Sequence, residues 1–465
     1  MEILNALLGG VAAPLVLLAA GAVFGVRLGW FWFLHPIRTG RALREAASSG
    51  GTPPAAALTL ALAGTLGVGN IAGVATAVTA GGPGAVFWML VGGAAAMGVK
   101  YAEVYLAVRW RRARTEDGRT VYFGGAMVYL RDGLGALART PRGRRAAAAL
   151  GTTFAVLCAA SALTTGNIVQ VHAAVQCVTM PPPLFGLLFA AAAAAAVHGG
   201  ADRTARLTAV LIPLLAALFL ALSGVLICAH AAQIPLVFSR IWRGAWEARA
   251  AGGGLLGLGV HRAVRFGITR GIFSNEAGCG TSPTAHAAAA ARSPYHQGCF
   301  GLFEVFADTI VLCTVTALVI LLYADGEGLD GIELALAAYA RLAFAVGGAP
   351  FAHAVDWLLR ISILLFAYAT VLAQSSCGAE ALSFAVGRTR ARTLFLPLAA
   401  AASIAGAVLR PRLIWAAADF LIALMTVVNC LALCALRRQV GGPPQIGESA
   451  ESGGRSLSDS GTRAR

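Results

Sequence analysis

The stretch FSNEAGCGTSP at residues 273–283 places a carboxylate, an amide, hydroxyls and two glycines inside an apolar part of the chain. The flanking residues are mostly Ala, Val, Leu, Ile and Phe. Glycine and proline weaken a helix, and backbone groups freed in hydrocarbon must find partners inside the protein. The stretch therefore predicts an interrupted membrane helix whose unwound backbone serves a function.

The composition indicates a membrane protein. The chain has 465 residues, is 58% hydrophobic and only 12% charged, where soluble domains carry about 25% charged residues. Apolar runs match the roughly 20 residues that a spanning helix needs. We predict an all-α polytopic membrane protein with about 11 transmembrane helices, in the segments 6–32, 56–80, 84–108, 148–172, 183–197, 207–230, 255–288, 300–323, 354–376, 393–409 and 412–436.

The net charge of +15 is explained by topology. The basic residues lie mainly between the apolar segments, as the positive-inside rule requires, and they favour an outside N-terminus and a cytoplasmic C-terminus in the cell membrane. A nucleic-acid-binding protein would need a continuous basic face. We therefore expect no nucleic-acid partner.

The residue patterns do not indicate a metal site or an enzyme active site. The nine cysteines include no CxxC pair, and no Cys/His spacing is typical of zinc. The polar residues inside the apolar segments are mostly amides and hydroxyls, without a nucleophile and base or a pair of carboxylates. We expect no enzyme activity and no cofactor.

A second interruption lies at residues 64–73, GTLGVGNIAG, in the second apolar segment. Five segments run from the second to the sixth and five from the seventh to the eleventh, so each group begins with its interrupted helix. This arrangement is typical of inverted-repeat transporters, whose site lies where two discontinuous helices meet. The other interpretation is that the glycines only allow close helix packing, but two matching interruptions favour a site.

The predicted organisation follows from this symmetry. Residues 1–50 hold the first transmembrane helix and a cytoplasmic loop, 51–230 the first five-helix repeat, 231–437 the second, and 438–465 a disordered cytoplasmic tail rich in Gly, Ser and charge.

At these residues the chain resembles the alanine-or-glycine:cation symporter family, also described as sodium:alanine symporters or amino acid carrier proteins. The resemblance is carried by GTLGVGNIAGVATAVTAGGPGAVFWM (64–89) and RGIFSNEAGCGTSPTAHAAA (270–289), and also by GGAMVYL (124–130), GNIVQV (166–171) and EVFADTIVLCTVTALVI (304–320). It implies a LeuT-type 5+5 inverted repeat and sodium-driven uptake of a small neutral amino acid, usually alanine or glycine.

The resemblance also implies positions for the substrate. The carboxylate would meet backbone N–H groups near Gly69 and Gly73, beside Asn70, which could equally cap the broken helix. The ammonium group would meet the second interruption. The further candidates there and on neighbouring helices are Gln170, Phe273, Asn275, Gly278 and Gln374.

For sodium, the resemblance suggests carbonyl oxygens near Ala63 and Leu66 and the hydroxyl of Thr370. The family commonly places a second hydroxyl just before that threonine, where this chain has Ala369. A site with one ligand fewer leaves open a sensor of the same fold that does not transport.

Glu276 is a candidate functional residue, because a carboxylate inside a membrane segment is costly and usually serves a function. The sequence leaves several roles open for it. It could bind the cation, carry a coupling proton in a proton-coupled permease, or accept hydrogen bonds from unwound backbone. We expect Glu103, Glu304 and Asp308 to lie near the inner membrane surface, where they snorkel or form a gate contact.

One departure from the family bears on the substrate. Gln374 stands where the family usually has a tryptophan, so the pocket gains room and polarity. We hypothesise a preference for a larger or more polar neutral amino acid than alanine. The expected partners are that amino acid, sodium and the lipid bilayer, and we expect a monomer.

Overall fold

The computed structural model describes residues 2–46, 53–116, 119–198, 201–246, 258–323 and 328–444. Helices dominate these residues. In chain order they are α1 (Asn5–Leu28), α2 (Pro36–Arg44), α3 (Pro54–Thr65), α4 (Ala72–Gly81), α5 (Gly84–Arg109), α6 (126–137), α7 (Pro141–Val175), α8 (Pro182–His198), α9 (Ala201–Ala229), α10 (Ile234–Trp246), α11 (Leu258–Asn275), α12 (Pro283–Ala287), α13 (Pro294–Tyr323), α14 (Gly331–Val386), α15 (Arg388–Val408) and α16 (Pro411–Leu436).

The structure also contains one hairpin that an all-α fold does not include. β1 (Arg112–Glu116) pairs antiparallel with β2 (Arg119–Phe123), with Arg112 opposite Phe123. The run of β-branched and aromatic residues at 120–123, TVYF, suits a strand. The hairpin follows α5 directly and lies in the loop predicted to face the cytoplasm.

Among the described residues, eight helices are long and apolar enough to cross a membrane, and a ninth span results if α3 and α4 are taken as one bent span. α8 is apolar but shorter, and α11 and α12 are separated by the second interruption. These helices occupy the predicted apolar segments, and they support a multi-pass membrane protein. The count of eleven crossings and the inverted repeat remain predictions.

α5 is the packing centre of the molecule, since it contacts α1, α11, α12 and α13. Glycines on its neighbours allow backbones to approach closely, as is typical of membrane helices. A Cβ at Gly21 of α1 would lie 2.6 Å from the Ala95 carbonyl oxygen, and one at Gly267 of α11 would lie 2.3 Å from that of Ala85. α5 therefore fixes where α11, and with it the second interruption, lies.

α14 is bent within a stretch that we expected to be a loop before the ninth segment. It begins at Gly331 and changes direction at Gly347 and Gly348. Of these two glycines, Gly348 has a left-handed backbone with a φ of +70°. Pro350 follows the bend, and a proline is compatible with the first turn of a new helix. The segment 331–346 is thus helical, and the part after the bend carries Thr370 and Gln374.

The chain after α16 is described as far as Pro444 and packs at residues 439–441 beside the end of α5. Val440 is 1% exposed, Tyr101 donates a hydrogen bond to the Gly441 carbonyl oxygen at 2.7 Å, and Trp110 donates to Gln439 Oε1 at 2.9 Å. Residues 438–444 of the predicted tail are therefore ordered, because these aromatic donors hold their polar groups. The remaining tail, 445–465, lies outside the described residues, as do residues 47–52 at the predicted boundary of the first repeat.

We predict that Gly267→Ala destabilises the protein by about 1–3 kcal/mol, the usual range for overpacking, because the new methyl group would force α11 away from α5. Thermal unfolding of the purified protein in detergent measures the loss. Gly224→Ala in α9 is the matched control, since a Cβ there meets nothing within 4 Å and alanine favours a helix by up to about 1 kcal/mol. Equal melting temperatures for the two variants would contradict this account of the packing.

Candidate functional site

The first interruption separates α3 from α4, and the two helices meet at an angle of 59°. A single 3-10 turn, Val68–Asn70, joins them. Asn70 stabilises this turn, because its Oδ1 accepts a hydrogen bond from the Gly67 N–H at 3.2 Å. The capping role considered for Asn70 is therefore present, and the break lies within the predicted stretch 64–73.

Two side chains from other helices face the backbone at Gly67. Gln170 of α7 accepts a hydrogen bond from the Val68 N–H at 3.1 Å, and its own amide donates to the Thr165 carbonyl oxygen at 3.1 Å. A Cβ at Gly67 would lie 2.7 Å from Gln170 Oε1 and 2.8 Å from Thr370 Oγ1. Only glycine leaves room for both groups at this position.

The second interruption, between α11 and α12, depends on left-handed backbone conformations. Glu276, Gly278 and Gly280 have φ values of +48°, +84° and +76°. A non-glycine residue in this region is uncommon and costs about 1–2 kcal/mol. Asn275 holds the start of the break, since its Oδ1 accepts from the Ala277 N–H at 2.8 Å and its amide donates to Thr309 Oγ1 at 2.9 Å.

The Glu276 carboxylate, 5% exposed, lies inside the protein. It accepts hydrogen bonds from the hydroxyl of Thr281 and from Gln374 Nε2, the latter at 3.0 and 3.2 Å to its two oxygens. Its recorded partners are therefore side chains rather than backbone N–H groups. Within the described residues it forms no salt bridge.

The two interruptions touch each other. A Cβ at Gly69 would lie 3.2 Å from the Ser274 Cα and 3.4 Å from a ring carbon of Phe273. Phe273 itself is 5% exposed and packs against Trp415 of α16, with ring centroids 5.1 Å apart. The glycine at position 69 thus permits direct contact between the backbones of the two broken helices.

Asp308 of α13 connects the two interruptions and was not predicted to do so. It is 0% exposed and accepts hydrogen bonds from Asn70 Nδ2 at 2.7 Å, from Ser274 Oγ at 2.8 Å and from Thr309 Oγ1 at 2.9 Å. Asp308 therefore does not snorkel, because its partners come from both breaks in the protein interior; its depth in the membrane and a gate contact stay predictions.

Gln374 forms a second connection. Its Nε2 donates both to the Gly64 carbonyl oxygen, at 3.2 Å, and to Glu276. A Cβ at Gly166 would lie 2.4 Å from Gln374 Cβ, so the glycine of GNIVQV makes room for this side chain. In the described part of the chain no donor lies within hydrogen-bond distance of Gln374 Oε1.

Four predicted residues are placed differently from those just described. A Cβ at Gly278 would lie 2.8 Å from Cys430 Sγ, so Gly278 faces α16 rather than the contact between the breaks. A Cβ at Gly73 would meet nothing within 4 Å, so Gly73 borders open space. Ala63 is fully buried at the end of α3, where Leu66 ends the helix with a non-helical ψ of 80°.

A small cavity of about 10 Å³ lies beside the first interruption, lined by Leu66, Gly67, Asn70, Ile71, Phe219, Leu312 and Phe366. This volume is about that of one water position. The cavity is therefore too small for an amino acid in this conformation.

An ion pair covers the second interruption on the side of α11. Arg270 donates to both carboxylate oxygens of Asp419, at 2.9 and 3.2 Å, and its guanidinium lies 5.0 Å from the Trp415 ring centroid and 5.8 Å from that of Phe273. Fork-shaped pairs of this kind are the stronger form of ion pair. Sequence reasoning gave Arg270 no partner, because Asp419 is 149 residues away.

Glu103 and Glu304 are also buried inside the protein, since both are 0% exposed. Glu304 pairs with Lys100 at 3.3 Å, and Glu103 Oε1 accepts from the Gly280 N–H at 2.9 Å. The spacing of Glu304 and Asp308 indicated a shared helix face but gave no information about these distant partners. Neither residue snorkels.

Comparison with known proteins identifies the family. The model of the sodium:alanine symporter family matches residues 1–442. An uncharacterized transporter of Haemophilus influenzae is 34% identical over 436 residues, covering 92% of this chain and 91% of that protein. The sodium/alanine symporter AgcS of Methanococcus maripaludis is 32% identical, covering 93% of each chain.

Two further similarities complete the comparison. A probable sodium/glutamine symporter, GlnT of Bacillus subtilis, is 31% identical over 94% of this chain and 88% of its own. A solved structure, a manganese transporter mutant of Eremococcus coleocola, has a TM-score of 0.48 and 12% identity, covering 83% of this chain and 77% of that one. The family match and the relatives of similar length show that the chain belongs to the sodium:alanine symporter family of membrane transporters, which carry out sodium-coupled amino-acid symport.

Proposed function

We propose that this protein couples inward sodium movement to the uptake of a small neutral amino acid by alternating access in the cell membrane. The observation that carries the proposal is the contact between two broken helices, with an unbonded buried hydroxyl beside one of them. Backbone freed from a helix offers N–H groups to an anion and carbonyl oxygens to a cation, which are the ligands an amino-acid zwitterion and sodium require.

Sodium would bind at the end of α3. Thr370 Oγ1 is buried without a hydrogen-bond partner among the residues that the structure describes, which costs about 1–3 kcal/mol unless something occupies its lone pairs. It lies against Gly67, next to the position where Leu66 ends the helix. Carbonyl oxygens of Ala63 and Leu66 together with this hydroxyl are the proposed ligands.

The substrate would bind between the two breaks. Its carboxylate would meet the backbone near Gly69 and Gly73, and the open space beside Gly73 supports this position. Phe273 would cover the substrate, while Gln170, Asn70 and Asn275 would keep the unwound backbone in shape through the hydrogen bonds described above. Gly278 would act through the conformation of the break and not by contact.

Gln374 would determine substrate preference. Its Nε2 is committed to Gly64 and Glu276, but its Oε1 carries no hydrogen bond from the described residues. A free amide oxygen accepts an N–H or O–H from the substrate. This supports a preference for neutral amino acids that are larger or more polar than alanine.

A proton-coupled permease is the second candidate. Glu276 is a buried carboxylate in the second break whose recorded partners are a hydroxyl and an amide. A carboxylate in such surroundings can exchange a proton. The family and the unbonded hydroxyl of Thr370 favour sodium over this alternative.

Uptake of radiolabelled amino acids into proteoliposomes, with sodium and proton gradients imposed separately, tests the proposal. We expect accumulation with an inward sodium gradient and none with a proton gradient alone, because the cation site is built from neutral oxygens. Accumulation driven by protons alone would support the permease. Binding without uptake would support a sensor that does not transport.

We predict that Thr370→Val raises the sodium concentration for half-maximal uptake by about tenfold, which corresponds to about 1.4 kcal/mol for the lost ligand. The maximal rate at saturating sodium should change little. Thr316→Val is the matched control, because that buried hydroxyl already donates to the Leu312 carbonyl oxygen at 2.9 Å. The same sodium dependence in the wild type and in Thr370→Val would remove Thr370 from the site.

We predict that serine, asparagine and glutamine compete with labelled substrate at least as well as alanine and glycine do, because Gln374 Oε1 can accept hydrogen bonds from their side chains. Competition in the same proteoliposomes measures the order. Gln374→Leu should reduce this advantage, since leucine keeps a similar volume without the oxygen. Alanine and glycine outcompeting the polar amino acids in the wild type would refute the preference.

A further inference from the structure

A second buried cluster of ionisable groups lies behind the second interruption, on the far side from the contact with the first. Lys100 and Glu103 come from α5, His286 from α12 and Glu304 from α13, and all four are 0% exposed. The proposed sodium and amino-acid sites use none of them. Buried charges are costly unless each is paired, so the pairing within the cluster shows which groups are compensated.

Lys100 and Glu304 compensate each other. Lys100 Nζ lies 3.3 Å from Glu304 Oε1 and 2.7 Å from Ser282 Oγ. The other oxygen of Glu304 lies 3.0 Å from His286 Nε2, and His286 Nδ1 lies 2.8 Å from Gln297 Nε2. Both oxygens of Glu304 are therefore occupied, and its charge is matched by that of Lys100.

Glu103 is left without a counter-charge of its own. Its Oε1 accepts hydrogen bonds from the Gly280 N–H at 2.9 Å and from Asn429 Nδ2 at 2.6 Å. Its Oε2 is buried and has no partner among the described residues. An ionised carboxylate with one bare oxygen is costly in a dry interior, whereas a protonated carboxyl group removes the charge.

The donors to Glu103 depend on the broken segment. Gly280 belongs to that segment, and Asn429 holds it, because the Asn429 amide also donates to the Gly278 carbonyl oxygen at 2.9 Å. Hydrogen bonds to the charged form of a carboxyl group favour that form. When residues 278–280 move away from α5, Glu103 loses a donor and binds a proton more tightly.

The other groups that face Glu103 do not remove this dependence. Lys100 favours its charged form, and Glu304 opposes it. Tyr129, whose hydroxyl donates to Asn429 Oδ1 at 2.7 Å, and buried thiols complete the surroundings. The titratable groups around it are Lys100, Tyr129, Cys158, Glu276, Cys279, His286, Glu304 and Cys430.

We propose that Glu103 is a proton-binding site whose proton is taken up and released as residues 278–280 move between conformations. The proton joins Glu103 Oε2 and leaves from the same oxygen, so no other reactant is needed. Binding and conformation are linked, so a conformation that removes the Gly280 donor raises the affinity for the proton, and the proton in turn favours that conformation. The transporter would then bind or move a second cation, the proton, besides sodium. The part of this proposal that concerns transport rests on the proposed function, whereas proton binding to Glu103 can be measured without transport.

Infrared spectroscopy of the purified full chain tests proton binding without transport. We expect a carbonyl band of a protonated carboxyl group that disappears as the pH is raised from mildly acidic to mildly alkaline, and that is missing in Glu103→Gln. Glu380→Gln is the matched control, because Glu380 is half-buried and paired with Arg114, and the band should remain. Titrating bands that are identical in the wild type and in Glu103→Gln, or no titrating band in the wild type, overturn the proposal, whereas a residual band comes from the other buried carboxyl groups, such as Glu276 and Asp308.

Asn429→Leu gives an independent test with a defined direction. Removing the Asn429 donor destabilises the ionised form, so the band should persist to more alkaline pH than in the wild type. This variant keeps Glu103 in place and therefore decides the matter even if Glu103→Gln does not fold. An unchanged or more acidic titration midpoint contradicts the role of the donors.

Proteoliposomes with a trapped pH dye extend the test to transport. With an imposed sodium gradient and a labelled amino acid present, we expect a pH change in the wild type for each amount of amino acid taken up, and a loss of that pH change at equal uptake in Glu103→Gln. A pH change of equal size in the variant overturns the proposal. Absence of sodium-driven uptake in the wild type would instead contradict the proposed function, while the infrared result stands separately.

Discussion

Backbone hydrogen bonding in a dry interior is the constraint on which this structure depends. A helix that opens inside the protein exposes N–H and C=O groups that water cannot satisfy, at a cost of several kcal/mol for each group left bare. Here side chains, two of them from distant parts of the chain, supply the missing partners. Gln170 accepts from the first break, Gln374 donates to it, and Asn275 accepts from the backbone of the second.

Two side chains, Asp308 and Gln374, also join the two breaks. Asp308 binds Asn70 on one and Ser274 on the other, while Gln374 binds Gly64 on one and Glu276 on the other. Each such hydrogen bond contributes about 0.5–1.5 kcal/mol net, and somewhat more where a charged group takes part. Together these hydrogen bonds contribute a few kcal/mol, which is enough to favour one conformation at equilibrium. A ligand that binds another conformation more tightly can still shift the population towards it.

The sequence predicts the breaks better than it predicts their partners. Local features indicated where each helix opens, since GTLGVGN and SNEAGCG carry the glycines and amides beside apolar runs. The side chains that bind these breaks could not be predicted from local sequence, because Asp308 lies 238 residues from Asn70 and Gln374 lies 98 residues from Glu276. Hydropathy does not distinguish a charged residue that is paired inside the protein from one that lies at the membrane surface. Glu103, Glu304 and Asp308 were therefore expected near a surface, although the fold buries them. The strands β1 and β2 and the ordered residues 438–444 were missed for a related reason, since distant contacts hold them: Arg112 pairs with Asp132 and Arg114 with Glu380, and Tyr101 donates to Gly441.

Position 374 shows how one side chain adapts a site of this kind. The resemblance leads one to expect a tryptophan there, and an indole has a single N–H donor. Gln374 donates to two acceptors on different breaks and keeps an oxygen free, in a space that Gly166 leaves open. Glu276 adopts a left-handed conformation that a side chain disfavours by about 1–2 kcal/mol, and the hydrogen bonds from Gln374 and Thr281 offset that cost. A ring at position 374 would leave Glu276 with fewer donors, so the amide at 374 and the carboxylate at 276 are best understood as one unit.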